Sequence, residues 1–288
     1  MPNLIAVDNR NEIREFLSSR RARITPDQAG LHGVFGDKRR VPGLRREEVA
    51  LLAGVSIDYY TRLERGNLKG VSESVLEALA RALQLDEAER SHLFDLARAA
   101  GPTAARRRRR AQGVRPSVQR ILDAMTGAPA FVQNGRLDIL AANPLGQALY
   151  SEMYADPARP VNHARFIFFN PRSADFYVDW DRAANDTVAI LRSEAGRDPY
   201  DRELSDLVGE LSTRSDEFRT RWAAHNVRIH RTGVKQFHHP GVGELSLTYE
   251  MMELAADPGL AILTYSAEPG SRSEEGLNLL ASWTATPA

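Results

Sequence analysis

Apolar residues recur at helical spacing through the first hundred residues and predict a small all-helical domain. Ile13, Phe16 and Leu17 share one face of a first helix, which the spacing places at Asn11–Ile24. Serine and aspartate caps then open two later helices, predicted at Ser72–Leu85 and at Asp86 to about Ala100. With two shorter helices between them, this makes five helices.

The two shorter helices lie between Leu44 and Gly66 and are joined by a tight turn. Gly54 can end the first of them, and Ser56 can cap the second. Apolar side chains form one inward stripe on the pair, at Val49, Ala50, Leu52, Ala53, Tyr60 and Leu63. This layout is typical of a helix-turn-helix, which lays its second helix in the major groove of DNA.

After Pro116 the pattern changes to short alternating runs mixed with helical ones. A hairpin with a type I′ turn is predicted around Asn134-Gly135. Three further strands are predicted at residues 235–239, 244–254 and 260–266, with four helices between about 165 and 224. The second half should therefore be an antiparallel sheet with helices on one side, an α+β domain.

Charge is divided unevenly between the two halves, although the chain as a whole carries 38 basic and 38 acidic residues. The first 115 residues hold 22 Lys and Arg against 15 Asp and Glu, and the remainder holds 16 against 23. A basic first half and an acidic second half fit a DNA-binding head joined to a body that touches no phosphate. Between them, five consecutive arginines, Arg106–Arg110, indicate a solvated linker or a non-specific grip on DNA.

Other classes of protein find little support in the sequence. Cysteine is absent, which excludes disulfides and thiolate metal sites. No signal peptide or membrane-spanning run is present, so we expect a cytoplasmic, nucleoid-associated protein without membrane contact. The seven histidines form no HExxH motif, and neither a dinucleotide loop nor a GxSxG elbow occurs. We therefore expect no metal, no cofactor and no enzymatic activity.

The stretch VPGLRREEVALLAGVSIDYYTRLERG closely resembles the helix-turn-helix of Xre/Cro-type repressors. Its Pro42-Gly43-Leu44 lead-in looks like the subgroup of regulators whose C-terminal half is an MmyB-like ligand-binding domain. Two later blocks, FRTRWAAHNV at 218–227 and HHPGVGEL at 238–245, are similar to that domain. The resemblance implies a helix-turn-helix domain at 1–103, an Arg-rich linker at 104–116 and a PAS-like ligand-binding domain at 117–288.

Spacing on the second helix of the motif separates the side chains that face DNA from those that face the core. Tyr60 and Leu63 point inward, so the remaining positions point elsewhere, and in the family these read base edges. The candidates for base contact are Ile57, Asp58, Thr61 and Arg62. Arg62 is the strongest, because a guanidinium pairs bidentately with guanine. For Asp58, capping its own helix is the slightly favoured alternative.

Phosphate contacts form a separate class. Arg45 and Arg46 open the first helix of the motif, where side chains and backbone N–H groups together meet the duplex backbone. Arg65, Asn67 and Lys69 follow the second helix and could clamp the opposite strand, while Tyr59 either stacks on sugar or packs on the first helix. The loop cations Lys38-Arg39-Arg40 could reach phosphate or be merely solvated.

The MmyB-like resemblance implies a lipophilic ligand such as a fatty acid, held between sheet and helices. By resemblance, the pocket is lined by Asn143, Arg219, Trp222 and His225, although Trp222 is more typical of a core and His225 of a capping role. A carboxylate head needs a cation or donor, and a tail needs apolar walls. Walls could come from Phe131, Phe166, Phe168, Phe169, Tyr249 and Met251.

These observations predict a transcriptional regulator, a homodimer that binds double-stranded DNA at a near-palindromic operator with half-sites about 34 Å apart, one turn of the duplex, or a multiple of that distance. A ligand in the second half would alter operator affinity. Two alternatives remain open at this point. The second half could be only a dimerisation platform, or, more distantly, a hydrolase tethered to DNA.

Overall fold

The computed structural model describes residues 9–31, 41–101, 113–228 and 231–285. The predicted contacts of Lys38-Arg39-Arg40 and of Arg106–Arg110 lie outside these ranges. The chain divides into two compact units that are not consecutive in sequence. The first comprises residues 1–108, 192–210 and 220–229, and the second comprises 109–191, 211–219 and 230–288.

Five helices form the N-terminal part of the first unit, as the sequence predicted. They are α1 Asn9–Arg23, α2 Arg46–Ala53, α3 Ile57–Glu64, α4 Glu73–Ala82 and α5 Glu87–Ala99. The predicted core residues Ile13, Phe16 and Leu17 are fully buried. They pack with the inward residues of α2 and α3 in one hydrophobic core.

Three later helices contribute to the first unit as well. They are α11 Trp180–Arg197, α12 Arg202–Arg214 and α13 Asp216–Ala223, each of which is shared between the two units. Val227, which follows α13, is buried in the same hydrophobic core as α1 to α5. Helices α1 to α5 therefore do not form a compact unit by themselves.

The second unit is built on one antiparallel sheet with the strand order β3-β2-β1-β6-β5-β4. The strands are β1 Ala130–Asn134, β2 Asp138–Ala142, β3 Val161–Asn162, β4 Thr232–His239, β5 Gly243–Glu253 and β6 Leu260–Ser266. Phe131 pairs with Leu263, and Met251 pairs with Leu263 from the other side. The predicted order of a helical domain followed by an α+β domain is thus confirmed.

The remaining helices surround this sheet. They are α6 Pro116–Ala124, α7 Pro144–Leu149, α8 Ser151–Tyr154, α9 His163–Phe169, α10 Arg172–Phe176 and α14 Arg272–Ala285. Phe131 and Leu263 belong to a large core with α7 and α14, while the alternate residues Val132 and Ile262 pack with Leu122 of α6. Helices therefore cover both faces of the sheet, not one face as the sequence suggested.

The turn between β1 and β2 also differs from the expectation. A type I′ turn needs positive φ at both central residues, but positive φ occurs at Leu137 (64°), beyond Gly135. The Leu137 N–H donates to the Asn134 carbonyl, and the Asn134 side chain accepts from the backbone N–H groups of Arg136 and Asp138. Asn134 thus starts a longer turn, because its side-chain oxygen can stabilise that loop directly.

Candidate functional site

The turn between α2 and α3 has the geometry of a helix-turn-helix. Gly54 ends α2 in the left-handed conformation (φ 66°, ψ 31°), and its N–H bonds back to the carbonyls of the last turn. Ser56 then caps α3, because its hydroxyl accepts a hydrogen bond from the Tyr59 N–H at 3.1 Å. Tyr60 and Leu63 are fully buried, so the opposite face of α3 is left for a partner.

The four predicted base-contact residues all lie away from the buried face of α3. Ile57 is 52% exposed, and Asp58 and Arg62 are exposed as well. Thr61 is half-buried. Asp58 is not the cap of the helix, since Ser56 holds that role, so the favoured alternative for Asp58 is wrong.

Arg62 is positioned by its neighbour on the helix. Its guanidinium carbon lies 4.7 Å from the centre of the Tyr59 ring, within the range of a cation–π contact. The stack restricts the rotamers of a long side chain before any partner is bound. Tyr59 is half-buried beneath it.

The predicted phosphate contacts lie at the start of α2 and after the end of α3. Arg46, Arg65 and Lys69 are exposed, and Arg45 and Asn67 are half-buried. The Arg45 N–H donates to the Glu48 carboxylate at 2.6 Å, which fixes the start of α2. Exposed cationic side chains thus lie on α2 and beyond the last residue of α3.

A buried carboxylate connects these cations to the core. Glu64 is 2% exposed in its side chain and accepts a bidentate hydrogen bond from Arg21 at 2.7 and 3.0 Å. Arg46 reaches the same carboxylate at 3.2 Å. Burial alone would raise the pKa of Glu64, but the hydrogen bonds and charges of Arg21 and Arg46 outweigh it and lower the pKa below the usual value. Glu64 therefore stays ionised and ties the end of α3 to α1 and α2.

The second unit contains a separate pocket with an empty volume of about 360 Å³, open mouth included. Its wall is mainly apolar, with a few polar groups, and is contributed by β1, β4, β6, α9 and α11. The lining residues are Phe131, Gln133, Leu137, His163, Ala183, Asp186, Thr187, Ile190, Lys235 and Leu263. A mainly apolar wall with a few polar groups is the composition typical of ligand sites.

Lys235 supplies the positive charge of this pocket. Its ammonium lies 3.5 Å from the Tyr265 hydroxyl and 5.0 Å from the centre of the Tyr249 ring. Burial lowers the pKa of Lys235 to about 8, and the charge of Asp186 acts in the opposite direction. The amine is therefore mostly protonated at pH 7 and is the cationic group among the residues that line the pocket.

His163 faces Lys235 as a neutral group. Burial, followed by the charge of Lys235, lowers the pKa of His163 to about 3. Its Nε2 lies 2.6 Å from the Tyr177 hydroxyl, whose own pKa is raised by burial. The pair adds a neutral hydrogen-bonding wall beside the single ammonium group.

The four ligand-binding residues that the family resemblance implies lie in different structural environments. Asn143 caps α7, and both the oxygen and the nitrogen of its side-chain amide form hydrogen bonds with backbone groups. Arg219 is exposed and pairs with Asp216, while Trp222 and His225 belong to the first unit. None of the four lines the pocket described above. Their role in ligand binding stays a prediction.

Most of the residues that line the pocket were not predicted from the sequence. Of the six predicted wall residues, Phe131 lines it, and Tyr249 contacts the ammonium of Lys235. One signal was present in the sequence: lysine occurs only at positions 38, 69 and 235, so Lys235 is the sole lysine of the second half in a chain that otherwise uses arginine. A lysine inside an alternating strand is a candidate ligand anchor.

A helix-turn-helix with an exposed second helix, followed by a domain with its own pocket, defines a DNA-binding transcription regulator with a ligand-binding domain. Residues 14–93 match the profile of a helix-turn-helix domain. Residues 114–280 match the MmyB-like transcription regulator ligand binding domain, and the chain belongs to that family. No curated protein matches the chain.

Both matched families describe regulatory domains. Among the helices that the structure describes, none is long and apolar enough to cross a membrane. Within the same ranges, no three His, Asp or Glu side chains are grouped so that they could hold a metal ion.

Proposed function

We propose that this regulator binds a near-palindromic operator as a homodimer through α3, and that a lipophilic carboxylate such as a fatty acid, bound in the pocket around Lys235, changes its operator affinity. The observation that carries the DNA half is the exposed face of α3, with Arg62 stacked on Tyr59. The observation that carries the ligand half is one ammonium group in a mainly apolar pocket.

Arg62 is the proposed base reader. An exposed guanidinium held over an aromatic ring keeps its fork free for the O6 and N7 atoms of guanine, a contact worth about 1–3 kcal/mol of discrimination. Ile57, Asp58 and Thr61 complete the face that enters the groove, and Ile57 is suited to the methyl group of thymine.

Genome-wide binding by the intact protein, repeated with Arg62→Ala, tests this role. We expect the variant to lose motif preference and to retain general affinity for DNA, because phosphate contacts do not depend on Arg62. Arg14→Ala is the matched control, since Arg14 is exposed on α1 and should leave the motif unchanged. An unchanged motif in Arg62→Ala would refute direct readout by this residue.

Arg45, Arg46, Arg65, Asn67 and Lys69 are the proposed phosphate contacts, with Tyr59 against the sugar. A double Arg45→Ala, Arg46→Ala variant should bind all sequences more weakly, and the slope of log K against log salt should become shallower by about 1 per lost contact. A slope equal to that of the parent protein would remove both arginines from the interface.

Lys235 is the proposed partner of the ligand carboxylate, with the tail against Phe131, Leu263 and Ile190. Decanoate binding, measured by calorimetry on the full chain, should be lost in Lys235→Met and kept in Arg219→Ala. Arg219 is the rival cation from the family resemblance, so the opposite result would move the head group to that residue.

Mass spectrometry of lipids extracted from purified protein separates ligand sensing from the remaining alternatives. A bound lipophilic acid supports sensing. An empty domain, together with no decanoate binding, would leave the second half as a dimerisation platform.

A further inference from the structure

A buried ionic cluster joins α1 to the last turns of α11 inside the first unit. Arg192 is fully buried, and its Nη1 donates to the Glu12 carboxylate at 2.6 Å and to Nδ1 of His225 at 2.9 Å. Its Nη2 donates to the Trp222 carbonyl, and its guanidinium lies 4.0 Å from the centre of the Trp222 ring. Arg192 therefore holds residues of three segments together.

Burial would raise the pKa of Glu12, but the hydrogen bonds of His225 and His92 and the charge of Arg192 together keep that pKa well below its usual value. Glu12 is 6% exposed, and the other basic groups near it are the imidazoles of His92 at 3.6 Å and His225 at 3.5 Å. A buried carboxylate whose cationic partner is removed is strongly destabilised. His225 Nε2 lies 2.8 Å from the Glu15 carboxylate, so α1 is held at two positions about one helical turn apart.

The surrounding contacts repeat this attachment along α1 and α5. Arg20 donates to the His225 carbonyl, and Arg23 donates to the Asn226 side chain. On α5, the imidazole of His92 lies so close to Gly196 that any side chain there would collide with it. Residues 192–210 and 220–229 are thus an integral part of the unit that carries the helix-turn-helix.

Helix α11 is the element that carries both this cluster and the pocket wall. Ala183, Asp186, Thr187 and Ile190 line the pocket of the second unit, and Arg192 follows within the same unbroken helix. A regular helix transmits a displacement along its axis, because its backbone hydrogen bonds link each turn to the next. A ligand that shifts α11 at residues 183–190 must strain or release Arg192.

We propose that Arg192 is the positioning residue through which an occupied pocket controls the DNA-binding helices, with α11 as the moving element and the Glu12–Arg192–His225 cluster as its attachment to α1. This inference rests on the proposed function and specifies how that function is regulated. Coupling then depends on the ionic attachment, whereas ligand binding and operator binding each keep their own residues.

The test uses a paired neutral variant of the full chain, Glu12→Gln with Arg192→Gln, so that no uncompensated charge is left buried. Arg202→Gln, exposed and outside the cluster, is the matched control. Operator dissociation constants are measured with and without decanoate. In the parent protein and the control we expect decanoate to change the constant about 5- to 150-fold, and in the paired variant we expect less than about twofold, with decanoate binding itself retained. Full decanoate coupling in the paired variant would overturn the proposal.

A second arm does not depend on the identity of the ligand. Ala183→Leu pushes a larger side chain into the pocket from α11 and imitates an occupant. It should change operator affinity in the parent background and have no effect in the paired variant, with circular dichroism confirming that each protein is folded. An equal effect in both backgrounds, or none in either, would overturn the relay. Failure of the parent protein to bind decanoate would instead count against the proposed ligand alone.

Discussion

Asn143 shows how much one polar side chain can hold when it is buried. Its Oδ1 accepts from the N–H groups of Ala130 at 3.0 Å and Gly146 at 2.7 Å, and its Nδ2 donates to the carbonyls of Met125 and Ala128. One side chain therefore provides hydrogen-bond partners for backbone groups of β1, of the start of α7 and of the loop that follows α6. Such a site is fully used by the fold itself.

Asn143→Ala should consequently destabilise the protein by about 3 kcal/mol, because four backbone groups lose their partner and two of the bonds are buried. Urea unfolding of the variant measures this, with Gln119→Ala as the control, since the Gln119 side chain donates to the exposed carboxylate of Asp123. A loss of decanoate affinity with unchanged stability would return Asn143 to the ligand site.

On the proposed function, the charge of Lys235 links the pH of the medium to ligand binding. Its pKa is lowered to about 8 by burial, so the amine is charged below that pH and neutral above it. Decanoate affinity should be constant between about pH 6 and 7 and should fall by up to about tenfold per unit above pH 8. Calorimetry at fixed ionic strength measures the profile, and a flat profile up to pH 9.5 would exclude the ammonium as the head-group partner.

At the scale of elements, two glycines border α3 with different demands. Gly54 has φ 66° and open space on the side where a Cβ would stand, whereas Gly66 has φ 91° and lies directly against the backbone of Arg10 in α1. Gly54 thus serves the turn alone. Gly66 serves the turn and also the close approach of α1 to the end of α3.

Replacing each glycine by alanine separates these demands. Gly54→Ala should cost about 1–2 kcal/mol of stability, the penalty of a left-handed conformation. Gly66→Ala should cost about 2 kcal/mol more, because its methyl group also forces α1 and α3 apart. Urea unfolding of the two variants side by side gives the difference. Equal losses of stability would mean that α1 can shift away from residue 66 without a cost in free energy.

The same elements show what periodicity could and could not predict. Helical spacing of Val49, Ala50, Tyr60 and Leu63 was sufficient for the helix-turn-helix, because α2 and α3 follow each other directly in the sequence. The pocket was not readable in this way, since Lys235, Phe131 and Ile190 come from distant elements whose meeting depends on the strand order of the sheet. An isolated lysine was the single local signal.

At the scale of the molecule, sequence-based division placed a boundary near residue 103 and treated everything after 116 as one domain. The two compact units divide the chain at other positions, since Arg192 and Val227 belong to the same unit as α1 and α5. Composition could not predict this, because Arg192 and Glu12 are ordinary charged residues until the fold buries them together. The division into a basic and an acidic half describes the average charge of each half, and it does not show which charged residues contact one another.

A regulator built in this way must obey reciprocity between its two ligands. If decanoate changes the operator dissociation constant by a given factor, operator DNA must change the decanoate constant by the same factor, about 5- to 150-fold, because both cycles connect the same four states. Calorimetric titration of decanoate into the free protein and into the operator complex measures this factor. The Glu12→Gln, Arg192→Gln variant should reduce both factors together. If the variant lost the effect of decanoate on operator binding but kept the effect of operator on decanoate binding, the two measurements would not report one equilibrium. Dissociation of the dimer during the titration would then have to be included in the linkage.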